Sequence, residues 1–206
     1  MGTLHITELP PLPKREPESH KGTYGRILLV AGSPAMPGAA VLAARAALRS
    51  GAGLVTVAFA GSLTATFTAA VPEAIQLALP EPGAPEHDAE IDQLIGGDIR
   101  EKFDAIGIGP GLGTSTASRK VLARLLEVYD GPQVLDADAL NLVAEGLPTS
   151  PSDKRIWTPH PGEFQRLTGT TPSGDAERLE ETRRFAGERG GTVLLKGNRT
   201  VVHDGD

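Results

Sequence analysis

The chain has no cysteine in its 206 residues. This excludes disulfide frameworks, thiolate zinc sites, iron–sulfur clusters and cysteine nucleophiles, and it fits a reducing compartment. Aromatic residues are scarce, at 4% of the chain. Basic residues are outnumbered, 20 Lys+Arg against 26 Asp+Glu for a formal net charge of −6, whereas a nucleic-acid binder shows a basic face. No apolar run approaches the roughly 18 residues that span a bilayer. Met1 to Pro13 carries neither a basic n-region nor an apolar h-region. Gly2 is followed by Ile6 where a myristoylation signal wants Ser or Thr. These absences point to a soluble cytoplasmic protein with no nucleic-acid or membrane partner.

What is abundant is glycine, with 25 residues, and proline, with 17. The length suits one domain with a full core. Residues 1–20, with the Pro-rich charged stretch Pro10–His20, read as an extended lead-in, and residues 21–206 as the domain. From Arg26 onward short apolar strands alternate with helices. Strands are expected at Arg26–Ala31, Leu54–Phe59, Ile75–Leu79, Asp104–Ile108, Val134–Asp136, Ile156–Thr158, Thr192–Lys196 and Thr200–His203, the last two as a hairpin. Helices are expected at Gly38–Ser50, Ser115–Val128, Ala139–Glu145 and Asp175–Glu188. The first is polar only at Arg45, Arg49 and Ser50, so most of its circumference should be buried. In the last, Glu180 and Arg184 stand in the favourable i,i+4 order. The pattern is that of an α/β domain with a mostly parallel sheet, in which ligands bind at the carboxyl ends of strands.

Five strand ends carry chemistry. Gly32–Ala40 (GSPAMPGAA) is a Gly-rich turn into an Ala-rich helix, which serves either tight packing or close approach of a ligand to free N–H groups. Gly107–Ser115 (GIGPGLGTS) has glycines at 107, 109, 111 and 113, yet matches neither GxGxxG nor the P-loop. It reads as a Gly-rich, anion-friendly loop. Val134–Asn141 (VLDADALN) ends a strand in two carboxylates. As i and i+2, Asp136 and Asp138 would share a face; Asp138 also suits a helix N-cap, and Asp136 suits a ligand or a metal-bound water. In Thr158–Phe164 (TPHPGEF), Pro161 fits the first helical position, which puts His160 at the N-cap and Glu163 in the first turn. His160 is then a binding residue or simply a cap. The five histidines are too dispersed for a zinc cluster. Val193–Thr200 (VLLKGNRT) sets Lys196 at a strand end before a tight turn, either beside phosphates or on an ordinary hairpin.

In this order, over Lys21 to Thr200, the segments resemble the ADP-dependent NAD(P)H-hydrate dehydratases. The resemblance implies a ribokinase-like three-layer α/β/α fold with a mostly parallel sheet. It implies a nucleotide-repair lyase that dehydrates hydrated NADH or NADPH at the expense of ADP or ATP with Mg2+. It places Ala39, Ala40, Gly111, Gly113, His160 and Glu163 at the hydrated nicotinamide nucleotide, and Lys196, Gly197, Asn198, Arg199 and Thr200 at the adenine nucleotide. Asp136 and Asn141 would stand near the substrate or a magnesium shell, with no protein-built metal site. Implied partners are an NAD(P)H-hydrate epimerase and further copies of the chain. The alternatives are another ribokinase-like kinase of the hydroxyethylthiazole type, or a nucleotide-binding module without turnover.

One departure bears on catalysis. The family's catalytic aspartate lies in a GGxGD-type motif after the last matching segment, and nothing equivalent follows Thr200. Gly96-Gly97-Asp98 comes too early, Ser173-Gly174-Asp175 opens the Glu-rich helix, and Gly205-Asp206 is a terminal turn. The expectation is a C-terminally incomplete domain, with no catalytic residue assignable and no turnover from these 206 residues alone.

Overall fold

A computed structural model describes residue 11 and residues 14–79, 89, 91–93 and 99–206. The Gly96-Gly97-Asp98 segment set aside as too early, His5, His87 and most of residues 1–13 lie outside the described residues.

Eight strands form one sheet in the order β3-β2-β1-β4-β5-β6-β7-β8. They are β1 (Arg26–Val30), β2 (Leu54–Ala60), β3 (Ile75–Leu79), β4 (Ala105–Ile108), β5 (Gln133–Leu135), β6 (Arg155–Trp157), β7 (Thr192–Leu195) and β8 (Val201–His203). All neighbours pair in parallel except β7 and β8, which form the expected antiparallel hairpin. The helices are α1 (Pro37–Arg49), α2 (Thr64–Ala70), α3 (Ile99–Lys102), α4 (Thr116–Val128), α5 (Asp138–Ala144), α6 (Pro161–Thr168) and α7 (Gly174–Arg189). Helix α2 had no counterpart in the sequence reading, because TATFTAA is rich in β-branched residues and has no side-chain cap.

The alternation of side chains along each strand divides the core in two. On one face Leu28, Val30, Ile106, Ile108, Leu135, Trp157, Val193 and Leu195 pack with α4–α7. There Trp157 meets Phe185 edge-on at 5.4 Å and 82°. On the other face Leu29, Val55, Val57 and Phe59 pack with α1 and α2. Among the described residues that second layer covers β1–β3 only. Beyond it Val134 of β5 and Ile156 of β6 are exposed, while their strand neighbours are buried.

This geometry corrects the expectation for α1. Only Ala40 and Ala44 are buried, and Leu42 is 69% exposed, because the helix rests on β1 and β2 along one side. Glu180 pairs with Arg183 rather than Arg184, which takes Glu181 and Glu188 instead. Each of these pairs is three or four residues apart, about one helical turn, where side chains on a helix surface meet. In the lead-in, residues 14–18 are exposed, and Arg15 donates to the Gly51 carbonyl at 2.9 Å and lies over the Tyr24 ring.

Candidate functional site

The connections from β1 run to β2 on one side, and the next strand, β4, pairs on the other. The loops after β1 and β4 therefore part at the carboxyl edge of the sheet, the usual ligand crevice of an open α/β sheet. Here they are tied together: Gly32 N–H donates to the Pro110 carbonyl at 2.9 Å and Gly109 N–H to the Val30 carbonyl at 3.1 Å. Gly111 has φ +64, and a Cβ on it would stand 2.8 Å from Ala39 Cβ and from the Met36 carbonyl oxygen. The structure thus brings Ala39 and Gly111 into contact. Ala40 is wholly buried, packed under Gly32, whose own Cβ would come within 2.9 Å of it.

The Asp136–Asp138 pair departs from strand alternation. β5 ends at Leu135, and Ala137 takes φ 48, ψ −115, a conformation that costs a non-glycine residue about 1–3 kcal/mol. The two carboxylates consequently bind different partners. Asp136 Oδ1 receives Lys196 Nζ at 2.6 Å, across the end of β6. Asp138 Oδ2 receives Gly113 N–H at 2.7 Å and its Oδ1 receives Asn141 Nδ2 at 3.2 Å. Asp138 is the first residue of α5, with Ala137 at the cap and no side-chain cap bond. The shared face expected for the pair does not form, and neither does the expected cap.

Asn141 carries the network further, its Oδ1 accepting from Arg166 Nε at 2.9 Å. At the start of α6 the expected cap is present in full. His160 Nδ1 accepts from the N–H groups of Gly162 and Glu163, and Glu163 Oε2 accepts from His160 N–H at 2.8 Å. This reciprocal arrangement satisfies donors that a helix start leaves open. It also buries Glu163 at 6% side-chain exposure while His160 stays half exposed.

Lys196 follows β7, and its N–H donates to the Pro159 carbonyl at 2.8 Å, next to His160. The turn after it, residues 197–200, is exposed. Arg178 on α7 braces that turn by donating to the carbonyls of Leu195, Lys196 and Arg199. Arg199 itself pairs with Asp175. A Cβ on Gly197 would fall 2.6 Å from the Arg178 guanidinium.

Sequence reasoning did not single out Arg166 or Arg178, and it weighed Asp138 only as a cap or a second carboxylate. No periodicity distinguishes these arginines from solvated ones, since their carbonyl partners lie far along the chain.

Two cavities flank the crevice. One of about 270 Å³ lies beside Gly32, Ser33, Gly113 and Ser115 at the ends of β1–β3. The other, about 370 Å³ and almost wholly apolar, runs along α1 to Pro110 and Asp136. His160 and Lys196 line neither, and both side chains are about half exposed. No three His, Asp or Glu side chains converge among the described residues; Asp136 commits one oxygen to a protein donor and Asp138 both. The donor set does not build a cage for magnesium, which would have to arrive on a nucleotide's phosphates.

Residues 27–206 match the family model described as NAD(P)H-hydrate dehydratase. The bifunctional NAD(P)H-hydrate repair enzyme Nnr of Moorella thermoacetica is 42% identical over 196 residues, which are 93% of this chain and 36% of that protein. The ADP-dependent (S)-NAD(P)H-hydrate dehydratase of Bacillus subtilis is 37% identical over 95% of this chain and 67% of its own length. A crystal structure of the ADP/ATP-dependent Bacillus subtilis dehydratase, co-crystallized with ATP/Mg2+, superposes with a TM-score of 0.77 at 35% identity, covering 95% of this chain and 66% of that one. A ribokinase-like superfamily protein of Enterococcus faecalis gives 0.76 at 28%, covering 92% and 63%. The chain therefore spans about a third of the bifunctional relative and about two thirds of the others. A hydroxyethylthiazole kinase from Pyrococcus horikoshii shares the fold alone, with a TM-score of 0.52 at 17% identity over 90% of this chain and 60% of that one.

Proposed function

The chain belongs to the NAD(P)H-hydrate dehydratase family and has its ribokinase-like fold, and from that premise we propose that its crevice serves ADP- or ATP-dependent dehydration of hydrated NADH or NADPH. Hydroxide is a poor leaving group. Phosphoryl transfer to the ring C6 hydroxyl converts it to a phosphate ester; loss of phosphate with the neighbouring C5 proton, pushed by the ring nitrogen, restores the reduced nicotinamide. Such a reaction asks the protein for positioning and charge stabilisation.

The observation that carries the reading is the meeting of separate segments at the carboxyl edge of the sheet, where Lys196 is joined to Asp136 across β6. Ala39, Gly111 and Gly113, with Ala40 beneath, would let the nicotinamide nucleotide approach backbone closely. His160 and the first turn of α6, held by Glu163, would present polar groups to it. Lys196 would supply charge to transferring phosphate while Asp136 fixes its ammonium, and Gly197, Asn198, Arg199 and Thr200 would follow the adenine nucleotide. Asn141 stands behind the substrate side. Magnesium, when present, would supply further charge on the phosphates. None of these residues is assigned as the catalytic base. We place the activity in the cytoplasm beside an NAD(P)H-hydrate epimerase; the Moorella relative is named a bifunctional NAD(P)H-hydrate repair enzyme, which carries a second repair function in one chain.

Isothermal titration of the 206-residue polypeptide with hydrated NADH and with ADP, alongside recovery of NADH absorbance, tests this. Saturable binding of both supports the site, and absorbance recovery would further show that these residues suffice for turnover. Binding of hydroxyethylthiazole with none of hydrated NADH would overturn the proposal in favour of a kinase.

A further inference from the structure

Glu163 and Arg166 are three residues apart on α6, a spacing at which acid and base ordinarily pair on a helix surface. Here they do not. The Glu163 carboxylate turns back to the helix start, taking His160 N–H on Oε2 and facing His160 Nε2 at 3.3 Å with Oε1. Arg166 is left to the neutral amide of Asn141, which it meets through Nε at 2.9 Å. No acidic side chain among the described residues pairs with it. Its terminal nitrogens lie back along the helix toward the first turn: a Cβ on Gly162 would stand 3.8 Å from Arg166 Nη1.

The contrast with Lys196 is informative. Both cations lie near the carboxyl edge of the sheet, but Lys196 carries its own counter-ion in Asp136. Arg166 is oriented without being neutralised. Its anchor is itself held, because Asn141 Nδ2 donates to Asp138, whose other oxygen receives Gly113 N–H. A chain of hydrogen bonds thus runs from the glycine-rich loop to the guanidinium. Fixing Arg through Nε leaves its two terminal nitrogens for bidentate recognition of a phosphate, and the adjoining N-terminal turn of α6 favours the same charge.

Resting on the function proposed above, we propose that Arg166 binds a phosphate group of the hydrated dinucleotide substrate, with Asn141 and Asp138 as positioning residues. Arg166 thereby selects dinucleotide hydrates over hydrated nucleosides and makes no contact with the reacting ring.

Titration calorimetry with hydrated NADH, hydrated reduced nicotinamide riboside and ADP tests the assignment in wild type, Arg166→Gln, Arg166→Lys and Asn141→Ala. Arg166 is exposed, so the variants should fold, and their melting temperatures check this. Arg166→Gln is expected to weaken hydrated NADH about ten- to a hundredfold and to flatten its salt dependence, with the riboside and ADP unchanged. Arg166→Lys and Asn141→Ala should fall between wild type and Arg166→Gln. Equal weakening of dinucleotide and riboside would show a merely structural role and overturn the assignment, as would an unchanged dinucleotide affinity or a loss confined to ADP. Failure of the wild type to bind either hydrate would overturn the underlying function and this assignment together.

Discussion

Gly109 shows how far single residues decide the shape of the crevice. It has φ +122, and a Cβ there would stand 1.8 Å from the Asp136 carbonyl oxygen and 2.8 Å from Ala139 N. Only the absence of a side chain lets the strained Asp136-Ala137-Asp138 backbone press against the β4 loop. Gly113 also has positive φ, at +77, but open space surrounds the place of its Cβ. Gly109→Ala should therefore cost at least about 2 kcal/mol through strain and overpacking together. Gly113→Ala should cost about 1 kcal/mol, the conformational part alone. Urea denaturation of the two variants measures the difference, and equal losses would count against the close approach. The histidine cap was legible in the sequence, because Pro161 and Glu163 stand at the N1 and N3 positions that a capping box uses. The divergence of Asp136 and Asp138 was not, because it depends on the turned backbone of Ala137 and on Lys196, sixty residues away.

At the scale of elements, β6 holds the clearest contrast. Its flanking residues Arg155 and Trp157 are buried at 3% and 0% exposure, while Ile156 between them is 40% exposed. The Trp157 indole Nε1–H donates to the Gly190 carbonyl at 3.1 Å, and its ring meets Phe185. Burial of Arg155 lowers the pKa of its guanidinium, whose donors reach Gln133 and the Ser150 carbonyl. Trp157→Ala is expected to cost about 3–5 kcal/mol. Ile156→Thr, on the open face, should change stability by no more than about 1 kcal/mol. Thermal and denaturant melts of both variants compare the two faces directly. The apolar strands were readable from their composition. Which face each would bury was less so, since a run of three alternating positions carries too short a period to show that one layer is missing above it. The same limit explains α1, whose Ala/Leu sequence suggested burial of most of its circumference and whose neighbours cover one side.

At the scale of the molecule, acidic groups tied to arginines contribute a pH-dependent part of the stability. The Arg26 side chain and backbone hold the Asp104 carboxyl below the usual range by hydrogen bonds. Arg183 and Arg184 do the same for Glu180 and Glu181. A carboxyl whose folded pKa is depressed adds stability above its unfolded pKa, about 4, and loses that contribution as pH falls through the folded value. Asp104→Asn should therefore lower the melting temperature at pH 7, with the gap from wild type closing below about pH 4. Melts at pH 7 and pH 3 check this, and a gap independent of pH would assign the loss to packing. The Arg26–Asp104 pair is exposed, so added salt should narrow the gap at pH 7 as well.

By itself the sequence determined the alternation of strands and helices, the family, and the position of each candidate site segment after a strand. These follow from local patterns of hydrophobicity, glycine and capping residues, all written within a few positions. Only the tertiary structure decided which of those segments touch. It joined Lys196 to Asp136, tied Gly113 through Asp138 and Asn141 to Arg166, and, among the described residues, left one sheet face open beyond β1. Such contacts arise from strand order and from one strained residue, and no local pattern encodes either, because their energy exists only when distant parts of the chain meet.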